Sequence, residues 1–252
     1  MKDQLPPALL PVSQICLFLD FDGTLADFAM DPAQVQIDAQ LVAILRRLQQ
    51  ALDGALALVS GRPIEDLDRL LDPLRLPTAG RHGQERRNGS GHVDRIAIPV
   101  AELQRVRPAL EAFVAEHNGL LLEDKQSSLT VHYRARPQLE PLVRNFVARA
   151  AEPLLPHFQL LDGNHMVEIK PAAFDKSTAV EAFMREAPFS ARVPVFIGDD
   201  ITDQDGFRAV EQYSGIAISV GDRVTAAWHL HDPGAVRAWL GHLAESGALN
   251  AH

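Results

Sequence analysis

The chain has one cysteine, Cys16, among 252 residues. No internal disulfide framework can form, and a lone thiol within an apolar run reads as a buried, inert group rather than a nucleophile. Aromatic residues are scarce at 6%, yet hydrophobic residues reach 46%. That content suffices at this length for a substantial core, in one large domain or two modest ones. No run of about 18 uninterrupted apolar residues occurs, so no transmembrane helix is expected. Lys2 and Asp3 are followed by Pro6, Pro7 and Pro11, which leaves neither an apolar signal core nor a small-residue cleavage site, and cytoplasmic residence is the default expectation. Positive charge is in deficit as well, with 24 Lys and Arg against 33 Asp and Glu and a net charge of −9. Nucleic acids and anionic membranes call for basic clusters, so neither is expected as a partner.

The acidity is unevenly spread. Residues 99–170 carry nine acidic and eight basic side chains, net −1, which leaves −8 for the flanking segments. Clustered carboxylates repel one another unless a cation lies among them, and a divalent metal is the simplest candidate. In those flanks, apolar runs at Ile15–Leu19, Ala55–Val59 and Val193–Ile197 each end at a polar, glycine-containing turn, with helical patterns between them, the signature of an α/β fold. Asp38–Leu52 places Leu41, Ile44, Leu45, Leu48 and Leu52 on one helical face, and Gly54 fits its stop. Between about Val100 and Lys170 the pattern changes to helix, strand, strand, repeated once. The spacing predicts helices at Ala101–Glu116 and Gln138–Ala151, and strands near Leu120–Glu123, Ser128–Tyr133, Gln159–Asp162 and Met166–Lys170. The parallel-sheet pattern resumes with a helix at Lys176–Glu186. The expected organisation is a core built from residues 1–98 and 171–252, interrupted by an α+β insert at 99–170.

Two of the apolar runs end in acids. Asp20 and Asp22, two apart at the end of an extended segment and followed by Gly23-Thr24, project the same way. They meet the edge where open α/β sheets bind ligands. A capping carboxylate in an Asp-Gly turn would give the same spacing. Val195-Phe196-Ile197 likewise runs into Gly198-Asp199-Asp200-Ile201-Thr202-Asp203, in which Asp200 or Thr202 taken singly reads as a helix cap. Two strands that deliver five aspartates to one edge need a cation, and oxygen-only donors suit Mg²⁺. Ser60-Gly61-Arg62 closes the second run and Lys176 opens the later helix. Together they supply a hydroxyl, backbone amides and an ammonium for a phosphoryl group, while separately Ser60 reads as a cap and Lys176 as a surface lysine.

The order Asp-x-Asp-Gly-Thr, Ser-Gly-Arg, Lys, Gly-Asp-Asp-x-x-Asp resembles the sequential signature of phosphatases of the haloacid dehalogenase-like superfamily. That resemblance implies a Rossmann-like parallel-sheet core with an inserted α+β cap. It also implies that Asp20 attacks phosphorus, that Asp22 serves as acid and then base, and that Ser60 and Lys176 hold the phosphoryl oxygens. Mg²⁺ would be bound by Asp20, the Asp22 carbonyl and Asp199, with Asp200 and Asp203 behind them. Asp22 is expected to be kept protonated in the substrate complex by nearby negative charge.

Glu123-Asp124-Lys125, Val131-His132-Tyr133-Arg134 and Val167-Glu168-Ile169-Lys170-Pro171, with the upstream Gly83-Gln84-Glu85-Arg86, resemble the cap of trehalose-6-phosphate phosphatases. By that likeness Glu123, Lys125, Arg134 and Glu168 contact the disaccharide and Arg62 lies near sugar or phosphate. The implied reaction hydrolyses trehalose 6-phosphate to trehalose and inorganic phosphate, the last step of trehalose biosynthesis. Glu123 and Lys125, two apart on a strand, share a face; His132 reads as a packed or hydrogen-bonded strand residue. The sequence departs from the family at Asp175-Lys176-Ser177 and at Gln204. Other readings are another sugar phosphatase such as one for sucrose phosphate, a phosphohexomutase, a phospho-accepting receiver module, or a carbohydrate-binding relative without activity. The expected partner is a small sugar phosphate, and the expected state a monomer.

Overall fold

A computed structural model describes residues 10–27, 35–125, 127–163 and 165–246; the Lys2–Pro7 pattern lies outside them. The chain divides into two compact units, Met1–Ile96 with Phe174–His252, and Ala97–Ala173. The first is built on β1 (Ile15–Leu19), whose five side chains are all buried. Burial on both faces is what a strand inside a parallel sheet requires. β1 pairs in parallel with β2 (Leu56–Val59) and β10 (Val193–Gly198), with Leu19 opposite both Leu58 and Ile197. That register brings three strand ends to one edge.

The sheet extends through β3 (Thr78–Gly80), β4 (Glu85–Arg87) and β5 (Val93–Arg95) on one side, and β11 (Ile216–Val220) and β12 (Trp228–Leu230) on the other. Among the described residues it has eight strands in the order β12-β11-β10-β1-β2-β3-β4-β5, parallel from β12 to β3 and antiparallel beyond. β4 and β5 read Glu-Arg-Arg and Val-Asp-Arg, so no apolar run announces them. Polar contacts hold β4 instead: Arg87 donates to both oxygens of Asp68 at 2.8 and 2.7 Å.

Helix α1 (Ala39–Ala51) covers the sheet with Leu41, Ile44, Leu45 and Leu48. Asp38, expected inside the helix, is its N-cap and accepts from the Leu41 amide at 2.7 Å. At the other end the Gly54 amide bonds the Gln49 carbonyl. α2 (Ile64–Leu70), α5 (Lys176–Met184), α6 (Asp203–Gln212) and α7 (Pro233–Ser246) complete this unit, with α5 ending two residues before the expected Glu186.

The second unit is an antiparallel sheet of order β6-β7-β9-β8, with β6 (Leu121–Asp124), β7 (Leu129–His132), β8 (Phe158–Gly163) and β9 (Met166–Pro171). Helices α3 (Val100–Glu116) and α4 (Glu140–Ala151) close its core against Leu129, Val131, Val167 and Ile169. Phe113 and Phe146 stack between the helices with centroids 4.0 Å apart. α4 starts two residues later than the spacing predicts, because Pro137–Leu139 form a 3-10 turn before it. Alternation sends Leu129 and Val131 to the helices and leaves Thr130 and His132 on the other face. No helix among the described residues is long and apolar enough to cross a membrane.

Candidate active site

Asp20 is the first residue past β1, and its amide bonds the Ile197 carbonyl of β10 at 3.0 Å. Its carboxylate therefore stands beside the loop that carries Asp199 and Asp203. Lys176, at the first position of α5, bridges the two strand ends: Nζ donates to Asp20 Oδ1 at 2.6 Å and to Asp203 Oδ1 at 2.5 Å. All three are buried. Asp203 Oδ2 accepts from the amides of Asp199 and Asp200 at 3.0 and 2.9 Å, so one carboxylate folds the acidic loop back on itself. Asp20, Asp199 and Asp203 each offer an oxygen within 4.8 Å of the others.

The turn after β1 fits this arrangement closely. Gly23 has φ +81°, a left-handed conformation that side chains other than glycine resist. A Cβ there would run into the Asp199 carboxylate. The backbone next to Asp22 thus lies against Asp199, and Thr24 Oγ1 donates to Asp199 Oδ1 at 3.2 Å.

Charge decides what the cluster can hold. Arg223, in the turn after β11, sets Nη2 2.8 Å from Asp199 Oδ2 and Nη1 3.8 Å from Asp200 Oδ1. Arg62 donates Nε and Nη2 to the two oxygens of Asp22 at 2.6 and 2.7 Å. With every group ionised, five carboxylates (Asp20, Asp22, Asp199, Asp200, Asp203) face three cations (Lys176, Arg62, Arg223), a formal balance of −2. Burial first, then the Asp203 charge, pushes the Asp20 carboxyl well above its ordinary range, against the pull of Lys176. Burial likewise raises Asp199 from 3.8 to about 6, with Arg223 opposing. For Lys176 burial would lower the value, but Asp20 and Asp203 outweigh it and the ammonium stays charged. Asp199 Oδ2 is buried and takes no hydrogen bond, its contact with Arg223 being an ion pair without hydrogen-bond geometry. An all-oxygen donor set, a buried carboxylate oxygen that accepts no hydrogen bond and a formal −2 fit a hard divalent cation.

The Asp22 carboxylate has a partner that the sequence did not suggest. A guanidinium meets both of its oxygens, and Arg62 is itself buried over the Phe21 ring at 5.7 Å. An oxygen that accepts from Arg62 is not at the same time presented to a leaving group.

Ser60, just past β2, is buried, and its Oγ accepts from the Arg62 amide at 3.2 Å. Glu85 braces this turn from β4 by accepting from the Ile64 amide at 2.7 Å, while the Arg81 and His82 amides bond the carbonyls of Arg62 and Ser60, both at 3.0 Å.

The remaining candidates lie in the second unit. Glu168 on β9 is 1% exposed, and its Oε1 accepts from Ser128 Oγ at 2.5 Å and Lys125 Nζ at 3.4 Å. Lys125 Nζ is also 4.0 Å from Glu123 Oε2. Glu123, Lys125 and Glu168 are therefore gathered, though Lys125 is not on the strand as expected. β6 ends at Asp124, and the Lys125 amide bonds the Ser128 carbonyl in the hairpin turn. Arg134 is half-buried in the turn that leaves β7. Sequence reasoning passed over Arg223, although Ile216–Val220 followed by Gly221 repeats the strand-then-glycine-turn signal of the other edge segments. It also passed over Thr24, whose bond to Asp199 spans 175 positions.

The trehalose-phosphatase family model matches residues 18–233. The trehalose-6-phosphate phosphatase of Escherichia coli (strain K12) is 40% identical over 224 residues, covering 88% of this chain and 84% of that protein. A probable trehalose-phosphate phosphatase of Sinorhizobium fredii is 39% identical over 238 residues, covering 93% and 88%. Among solved structures, the C-terminal domain of the C. albicans trehalose-6-phosphate phosphatase superposes with a TM-score of 0.79 at 20% identity, over 92% of each chain. A trehalose-6-phosphate phosphatase related protein gives 0.74 at 24% identity, over 92% and 98%. At such identities these two likenesses speak for the fold.

Proposed function

The chain belongs to the trehalose-phosphatase family, and from that premise we propose that it hydrolyses trehalose 6-phosphate to trehalose and inorganic phosphate at the edge formed by β1, β2 and β10. The observation that carries the chemistry is the buried Asp20–Lys176–Asp203 bridge beside Asp199.

In this reading a carboxylate oxygen of Asp20 attacks phosphorus in line, forming an acyl-phosphate bond as the ester P–O bond breaks. The proton of Asp22 goes to the departing sugar oxygen. Asp22, then ionised, takes a proton from a water that attacks the phosphorus, which releases phosphate and restores the Asp20 carboxylate. Lys176 aims Asp20 and, with Ser60, offsets charge on the phosphoryl oxygens. Arg62 must release at least one Asp22 oxygen before the acid step, and a phosphorylated ligand gives its guanidinium a competing anion.

Asp20, Asp199 and the Asp22 carbonyl would hold Mg²⁺, with Asp200 and Asp203 supporting them. When bound, the ion supplies positive charge to the phosphoryl oxygens and cancels the residual charge of the site. Residues 97–173 would act as the cap, with Glu123, Lys125, Arg134 and Glu168 as contacts to sugar hydroxyls. Charged groups reject a ligand that leaves them unmatched.

Inorganic phosphate release from trehalose 6-phosphate, sucrose 6-phosphate, glucose 6-phosphate and an aryl phosphate, each with Mg²⁺ or with chelator, tests this function. The expected result is preferred turnover of trehalose 6-phosphate that stops with chelator. Better turnover of sucrose 6-phosphate would overturn the substrate, and unchanged rates in chelator would overturn the metal.

A further inference from the structure

One residue outside the proposed sugar-contacting set is hydrogen-bonded to one of its members. His132 ends β7, and the register sets it opposite Leu121, with Thr130 opposite Glu123. His132 and Glu123 therefore stand diagonally on the same face of the sheet, within reach of longer side chains. His132 Nε2 lies 2.8 Å from Glu123 Oε2, and among the described residues this is the one hydrogen bond that the Glu123 carboxylate makes. An ionised carboxylate only accepts, so Nε2 carries the proton. The directly opposed residue does not help: Thr130 Oγ1 is buried and takes no partner. Lys125, at 4.0 Å, contributes charge but no hydrogen bond. Glu168, by contrast, is fully buried and held by both Ser128 and Lys125. The two carboxylates assigned to the sugar are thus held differently, Glu168 by burial and two donors, and the half-exposed Glu123 by His132.

A glutamate with a 40% exposed side chain samples many rotamers unless something fixes it. Fixing Oε2 leaves Oε1 as an oriented acceptor for a sugar hydroxyl, and a binding group ordered beforehand loses less entropy when ligand arrives. We propose that His132 is a positioning residue for substrate specificity: by holding Glu123 through Nε2–H, it presets the acceptor that recognises the disaccharide. This rests on the assignment of Glu123 to sugar recognition. The carboxyl of Glu123 is held below its ordinary value, chiefly by this same hydrogen bond.

The test compares His132→Ala, His132→Gln, Glu123→Gln and the double variant His132→Ala/Glu123→Gln on trehalose 6-phosphate and an aryl phosphate, with thermal melting alongside. A glutamine amide reaches about where Nε2 sits and can donate in its place. His132→Ala should raise KM for trehalose 6-phosphate about tenfold, the size expected for one hydrogen bond to a charged group, with kcat changed far less. The loss on the aryl phosphate should be much smaller. His132→Gln should recover most of the affinity, and the double variant should be no worse than Glu123→Gln. If Glu123→Gln weakens trehalose 6-phosphate binding and His132→Ala does not, the positioning role is wrong while the sugar assignment stands. If Glu123→Gln itself is without effect, the sugar assignment has failed and the inference falls with it. Equal losses on both substrates with a lowered melting temperature, unrescued by Gln, would make His132 a structural residue and overturn the proposal. Should His132→Ala not fold, His132→Asn serves instead, since its shorter amide cannot reach Glu123; normal KM in that variant would equally overturn it.

Discussion

Asp20 accepts from Lys176 with one oxygen and lies among acids, so replacing its carboxylate by an amide of the same shape removes the proposed nucleophile while leaving an acceptor for the ammonium. Asp20→Asn should therefore fold with a melting temperature near that of the parent and lose phosphate release on the order of 10⁴-fold or more, the scale seen when a covalent nucleophile is removed. Steady-state phosphate assay and thermal melting check both halves; turnover close to the parent rate would remove Asp20 from the role. Lys125 is the proposed recognition residue of the same scheme. Its ammonium lies between two carboxylates and can donate to a hydroxyl that neither acid could serve. Lys125→Ala should lower kcat/KM for trehalose 6-phosphate about tenfold more than for an aryl phosphate, as expected for one charged hydrogen bond. Matching losses on the two substrates would place Lys125 elsewhere.

At the scale of the element, the site is made by strand ends and the turns that leave them. The turn at Gly23 combines φ +81° with the nearness of Asp199. Gly23→Ala should lose roughly 1–2 kcal/mol from the left-handed backbone alone, with further loss from displacing Asp199, measured by urea denaturation. Metal affinity should weaken with it, because the displaced carboxylate is a metal-ligand candidate. A stable variant of unchanged affinity would show that this turn tolerates a side chain. Lys176 shows the same economy from the helix side. Asp175 caps α5 through the Thr178 amide at 2.8 Å, with the Thr178 hydroxyl returning to the Asp175 backbone. The ammonium thus projects from a rigid helix start, and the departure at Asp175-Lys176-Ser177 leaves that start well capped.

For the whole molecule, the buried acids couple stability to pH and to metal. Between the two values, a carboxyl whose folded value is raised, as for Asp199 from 3.8 to about 6, is protonated in the folded protein while already ionised in the unfolded chain. Stability is then fullest below about 3.8 and declines as pH rises through about 6. Metal-stripped protein should accordingly be easier to unfold at pH 7 than at pH 5 so far as this group is concerned. Adding Mg²⁺ at pH 7 should restore stability, by about 2.7 kcal/mol at a hundredfold excess over its dissociation constant. Denaturation curves at both pH values, with and without chelator, report this directly. No gain with Mg²⁺ at pH 7 would count against a cation among Asp20, Asp199 and Asp203.

Much was legible before any coordinates. The apolar runs Ile15–Leu19 and Val193–Ile197 read as buried strands, and the acids after them had to share an edge once the strands were parallel and adjacent. The strands β4 and β5 were not legible, because Glu-Arg-Arg and Val-Asp-Arg carry no periodic apolar signal and are held by pairing and ion pairs with distant residues. The pairing of Asp22 with Arg62 and of Asp199 with Arg223 was hidden for the same reason. Residue type and spacing along a chain specify which groups arrive at a strand end. Which cation meets which carboxylate there depends on side chains brought together across 40 positions in one case and 24 in the other, and only folding sets that distance.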